Sequence, residues 1–121
     1  MGLYTAEAIN IKSFNLGEAD KIITLFSRQF GKIRAVAKGA RRMRSKFGGR
    51  LELLVQNKVQ LVSGKDLEQL SQAETINSFF SLKDNMDKLS TACYFTWLVD
   101  RATEDKQPNA PLYDLLRNSL H

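Results

Sequence analysis

The 121 residues hold one cysteine, two prolines and one histidine. Cys93 alone cannot close an intrachain disulfide, which fits a reducing, cytosolic setting. No P-loop, HExxH, nucleophile elbow or pair of cysteines is present, so the common catalytic motifs are missing and no cofactor or metal is expected. Asp84 and Asp87 fall at helical spacing and suit a solvated face rather than acid–base chemistry. No apolar stretch approaches the length of a membrane span. The N-terminus lacks the charged and apolar regions of a secretory signal, and Ala6 stands where a myristoylation pattern needs Ser or Thr. No internal repeat or low-complexity segment is visible.

The most telling shortage is local. No acid occurs from Lys38 to Arg50, although those thirteen residues carry six cations: Lys38, Arg41, Arg42, Arg44, Lys46 and Arg50. Like charges this dense repel one another, so folding gains little from them. A polyanion gains much, because each Lys or Arg that neutralises a phosphate releases condensed counterions. The segment reads as a loop that grips a nucleic-acid backbone, with phosphate contacts rather than base readout. The bland alternative is a solvated, mobile charge run.

What is there in quantity is a core. The apolar share of 43% and the charged share of 26% argue for one folded domain, or a domain plus part of another, against disorder. The net charge of +5 is unevenly spread. Residues 1–50 carry eleven Lys and Arg against three acids; residues 51–121 carry seven against ten. A polyanion contact is therefore expected in the front half.

The front half reads as strands. Tyr4 to Phe14 is the first, Asn15 to Glu18 a turn, and Lys21 to Arg28 a second strand with apolar residues on both faces. Gln29 to Lys32 is a tight connection. Ile33, Ala35 and Ala37 then alternate with Arg34, Val36 and Lys38, a third strand with a partly basic face that feeds the loop. Leu51, Leu53, Val55, Val59 and Leu61 share one parity and predict a long, half-buried strand from the end of the loop. Ser63 to Asp66 is a turn. Leu67, Leu70, Ala73 and Ile76 have helical spacing, and local propensity leans to helix there, with a fifth strand as competitor.

The rear half reads as helices. Ser81 to about Thr103 is one, started by Ser81 and Asp84 in a weak capping box, with Leu82, Met86, Leu89, Cys93 and Trp97 as its stripe. Tyr94 and Trp97 are expected in the core. Cys93 reads as a small buried hydrophobe, not a nucleophile. Pro111 suits the first turn of a further helix with Leu112, Leu115, Leu116 and Leu120 on its face. These two faces have little to pack on. The residues are therefore expected to be the front of a longer protein, or their helices to pack between chains.

Strands followed by helices give an α+β class, and five short strands fit an OB-type barrel. Ala19-Asp20-Lys21-Ile22-Ile23-Thr24-Leu25-Phe26-Ser27, then Gly31-Lys32, then Ala37-Lys38-Gly39-Ala40-Arg41-Arg42, resemble the N-terminal domain of the bacterial recombination mediator family RecO. Glu7 to Ile11 and Phe47 to Leu51 are similar in position and character. The likeness covers roughly the first 80 residues and continues more loosely into helices.

The resemblance implies an OB barrel over 1–79 and the start of an α-helical domain over 80–121. It implies binding of single- and double-stranded DNA, strand annealing, and work with RecR and the single-strand-binding protein SSB so that RecA can load. It also implies a cytoplasmic, nucleoid-associated location, and strand rather than helix at 67–76. Many family members carry a cysteine zinc site in their rear half; Cys93 alone and a terminal His121 form no such cluster.

The candidate DNA-binding residues are Arg34, Lys38, Arg41, Arg42, Arg44, Lys46, Phe47 and Arg50. Phe47 is either a hydrophobic anchor that closes the loop or a base-stacking platform. Lys12, Lys21 and Lys32 belong to the general field. A rival reading makes the chain a protein-interaction adaptor whose loop docks an acidic peptide. A third makes it an RNA-binding barrel.

Overall fold

The computed structural model describes residues 2–121. Five strands close into a barrel: β1 (Leu3–Leu16), β2 (Asp20–Ser27), β3 (Gly31–Ala37), β4 (Gln56–Val62) and β5 (Glu68–Asn77), in the order β1-β2-β3-β5-β4. Neighbours are antiparallel except β3 and β5, which run parallel through Ala35–Glu68 and Val36–Gln69 and seal the barrel. This is an OB-type barrel followed by helices.

β1 is longer than the apolar pattern suggests because it serves two neighbours. Leu3 to Ile9 pair with β4, and Ala8 to Leu16 pair with β2. The strand changes partner near a bulge at Ile11, where a local kink lets one strand bend round a small barrel.

The barrel interior holds Ala6, Ala8, Ile23, Leu25, Ile33, Ala35, Ala37, Val59, Leu61 and Leu70. The Ile33-Ala35-Ala37 parity lies inside, as its alternation predicts. Small residues leave room at one end, and Phe47 and Leu51 fill it from the basic loop.

Two strand expectations are corrected. Leu51 to Val55 is not strand: Gly48–Leu51 is a 3-10 turn and β4 starts only at Gln56. Leu54 takes a left-handed φ of 71°, which turns the chain over. Leu51 thereby enters the barrel, while Leu54 enters a second core beneath it. Such a backbone costs about 1–2 kcal/mol in a non-glycine residue, and the complete burial of Leu54 holds it. Secondly, 68–77 is strand β5, against the slight local lean to helix and in keeping with the strand that the family resemblance implies. Its edges pair with β4 along most of its length and with β3 at its start, and that pairing outweighs propensity.

The second core joins barrel to helices. Ile9, Ile11, Phe26 and Leu54 meet Leu82, Ala92, Val99, Tyr113, Leu116 and Leu120. The long helix expected from Ser81 is broken into α1 (Phe80–Lys83) and α2 (Met86–Ala102). Asn85, not Ser81, caps α2: its side chain accepts from the backbone N–H of Asp87 and Lys88 at 3.1 Å. Helix α3 (Ala110–Ser119) starts at Asn109 with Pro111 in its first turn. Tyr94 and Trp97 are not core. They stack on the outer side of α2 at a centroid distance of 6.0 Å, with the Arg101 guanidinium 4.8 Å from the Trp97 ring. α2 buries Ala92, Thr96 and Val99 instead, because the smaller residues allow close approach to the barrel.

Candidate nucleic-acid interface

The basic loop is built as a string of turns on a fixed base. Backbone N–H groups of Arg42, Ser45, Gly48 and Arg50 donate to carbonyls of Gly39, Arg42, Ser45 and Phe47 in succession. Phe47 is 1% exposed inside the barrel end. It is the anchor, not a stacking platform, because its ring is buried in the barrel's own core cluster. Two buried asparagines hold the loop's far end: Asn10 and Asn57 both donate side-chain N–H to the Arg50 carbonyl, at 2.8 and 2.7 Å.

The near end is tied to the β1–β2 hairpin. The Arg41 backbone N–H donates to the Ala19 carbonyl at 2.9 Å, and its guanidinium to the Gly17 carbonyl at 2.7 Å. Gly39 N–H donates to the Asp20 carboxylate at 2.7 Å. Gly39 has a φ of 71°, the left-handed turn that lets the chain leave β3.

The cations project from this scaffold, although Arg41 and Arg50 also donate to backbone carbonyls of Gly17 and Lys46. Lys38, Arg41, Arg42, Arg44, Lys46 and Arg50 are all exposed. Among the described residues none of the six has a carboxylate within ion-pair distance, so their charge is uncompensated. Lys46 lies 5.2 Å from the Phe47 ring centroid. Sequence reasoning had grouped these residues, and the fold keeps them on one loop.

Arg34 stands apart. It lies on the outer face of β3, where its guanidinium pairs with Asp105 at 2.7 Å. Lys32 on the same face donates to the carbonyls of Asp100 and Thr103 and to the Asp100 carboxylate, at 2.9, 2.9 and 3.2 Å. Lys12 also reaches Asp100 at 3.7 Å. The segment after α2 thus lies on β3 as a strap, with Lys106 N–H donating to the Lys32 carbonyl at 2.7 Å. No motif announces this pairing, since its partners are some seventy residues apart in the chain.

A second tie fixes the strap. Glu68, almost fully buried, accepts from the Tyr4 hydroxyl, from Gly64 N–H and from Lys106 Nζ. Burial pushes its carboxyl up, but the hydrogen bonds from Tyr4, Gly64 and Lys106 and the Lys106 charge together hold it below the usual carboxylate range. The Tyr4 phenol is pushed well up, by burial first and then by donating to Glu68. Tyr113, which the sequence reading did not single out, is the largest fully buried side chain and accepts from Gln56 Nε2 at 2.9 Å.

The aromatic that the sequence reading passed over is Phe14. It ends the first apolar pattern, and its ring is 51% exposed on the outer face of β1, with Lys12 Nζ 4.9 Å from its centroid. The signal was available in the parity of Lys12, Phe14 and Leu16, which puts large apolar groups on the same outward side as a lysine.

A closed five-strand barrel with an uncompensated cationic loop and a helical extension defines an OB-barrel protein whose charged surface faces outward at one end. Comparison with known families is specific within that class. The family description Recombination protein O N terminal matches residues 1–79, and Recombination protein O C terminal matches residues 83–121. The chain belongs to the RecO family. It is 40% identical over 118 residues to the DNA repair protein RecO of Trichodesmium erythraeum (strain IMS101), covering 98% of this chain and 41% of that protein. Against the DNA repair protein RecO of Acaryochloris marina (strain MBIC 11017) it is 42% identical, covering 97% and 40%. Against that of Symbiobacterium thermophilum it is 40% identical, covering 100% and 48%. The chain therefore spans less than half the length of these relatives. No helix among the described residues is long and apolar enough to cross a membrane.

Proposed function

We propose that this chain is a non-catalytic DNA-binding unit of recombinational repair in the RecF pathway. Residues 1–79 supply the nucleic-acid-binding barrel and 80–121 begin a helical domain. One observation carries the reading: six exposed cations on one anchored loop, without carboxylate partners among the described residues. The names of the relatives, DNA repair protein RecO, support the process.

The mechanism follows from charge. The loop holds two strands by their phosphates, which lowers the repulsion between them and leaves base edges free to pair. That is annealing. Binding of single- and double-stranded DNA follows from the same contact, since phosphates are common to both. Cooperation with RecR and SSB in loading RecA, and a cytoplasmic location near the nucleoid, complete the proposal by family membership.

The test is fluorescence anisotropy of a labelled single-stranded oligonucleotide over a salt series. The native chain is compared with one carrying Arg41→Ala, Arg42→Ala, Arg44→Ala and Lys46→Ala. For single strands the log–log slope is about −0.7 per neutralised phosphate. Losing up to four contacts flattens it by up to about 2.8, and annealing slows in parallel. A variant with native slope and native annealing overturns the reading. Displacement of the DNA by an acidic peptide, together with loss of annealing specificity, would instead favour the adaptor.

A further inference from the structure

We propose that Phe14 is the base-stacking platform of this barrel, on the assumption that the loop holds single-stranded DNA as above. The loop offers cations and the exposed Met43 but no exposed ring, because its one ring, Phe47, is buried. A single strand held by phosphates alone leaves its bases unsupported, and OB barrels that grip single strands commonly add an aromatic under them.

Register shows where such a ring can stand. Phe14 pairs with Ile22, and Ile22 with Val36, so the three form one apolar row on the outer face of β1, β2 and β3. The next row, Lys12, Thr24 and Arg34, carries two cations. Helix α2 and the strap close that second row, since Asp100 of α2 meets Lys12 and Asp105 of the strap meets Arg34. The Phe14 row lies on the other side, between the strap and the basic loop. It is partly exposed: Phe14 is half exposed, with Lys12 Nζ 4.9 Å from its ring centroid, and Ile22 and Val36 are partly so.

The row and the loop are one rigid unit. Arg41 and Gly39 are hydrogen-bonded to the tip of the hairpin that carries Phe14. Phe14 stands two residues, or about 7 Å along the strand, from the last hairpin pair, Leu16–Asp20. A strand whose phosphates follow the loop cations passes this row with its bases towards the sheet. The cations of the loop on one side, unpaired among the described residues, match a nucleic acid; an apolar protein partner would gain nothing from them.

The test uses three variants, Phe14→Ala, Phe14→Leu and Phe14→Trp. Each is assayed against a normal single-stranded oligonucleotide and one of equal length with abasic sites at its centre. Loss of one base–aromatic stack weakens binding roughly 5- to 150-fold. Phe14→Ala and Phe14→Leu should both lose affinity for the normal strand within that range. Their salt slope should stay native, and the advantage of the normal strand over the abasic one should vanish. Phe14→Trp should keep that advantage.

Phe14→Leu retains most of the side-chain volume, so it carries the test if Phe14→Ala unfolds. Native affinity in the leucine variant overturns the proposal, as does an equal loss for normal and abasic strands. The loop reading fails separately, by an unchanged salt slope in the loop variant, so the two failures are distinguishable.

Discussion

Glu68 shows how much one side chain can govern here. It is buried at the start of β5, yet its three donors come from β1, from the turn before β5 and from the strap. Because its folded pKa is depressed, it contributes stability that is fully present above its unfolded value of about 4.3 and is lost as pH falls through the lower folded value. Tyr4 works at the other end. Its folded pKa is raised, so its contribution is complete below its unfolded value of about 10 and is lost as pH rises through the folded one. The expected outcome is a thermal midpoint that falls on acidification below about pH 5. Glu68→Gln should be less stable than the native chain at neutral pH and show a shallower acid fall. Scanning calorimetry from pH 3 to 8 checks it; parallel curves for the two chains would remove Glu68 from the acid transition.

Among the elements, the strap and the strand beneath it depend on one glycine. Gly31 opens β3 with a φ of 74°, and a Cβ there would overlap the Gln107 backbone. Gly31→Ala therefore pays twice, with about 1–2 kcal/mol of left-handed strain and with displacement of the strap. A lower urea midpoint, together with faster amide exchange across 103–107, is the expected result. Elements with strong period and local turn signals were legible in the sequence: β2, β3, the basic loop and α3 all carry them. The front of the expected long strand was not. Leu51 read as the start of one strand face with Leu53 and Val55, but Leu51 and Leu54 serve two different cores, and only the folded chain separates those. β5 was hidden because its order comes from its partners on both edges. The outward turn of Tyr94 and Trp97 was hidden for a related reason: apolar content marks a helix for burial but does not say which side meets the barrel. For the site, the cationic loop was legible from its lack of acids. The role of Phe47 was not decided by its neighbours in sequence, since anchor or platform depends on the size of the barrel end. The neutralisation of Arg34 was invisible, because its partner lies on the far side of α2 in sequence.

Across the whole molecule, the fold sorts charge more finely than the sequence does. The surplus of the front half is partly cancelled in space by the rear half: Lys12 and Lys32 meet Asp100, Arg34 meets Asp105, and Arg28 meets Asp114. The outer sheet is thereby quieted, and the uncompensated field is concentrated at the loop end. The acidic strap is expected to keep a polyanion off Arg34, whose partner is Asp105. Asp105→Asn tests this without harming the fold, since both partners of its pair are about half exposed and such pairs contribute about 0–1 kcal/mol. Freed of its partner, Arg34 becomes available to one more phosphate. The single-strand salt slope should steepen by about 0.7, with tighter binding at low salt and a nearly unchanged thermal midpoint. Asp100→Asn is the contrasting change. It leaves the largely buried Lys32 ammonium without its carboxylate, so it should lower stability first. If Asp105→Asn leaves the slope at its native value, Arg34 lies beyond the reach of the bound strand. The limit of the interface is then set by the loop itself, not by the strap.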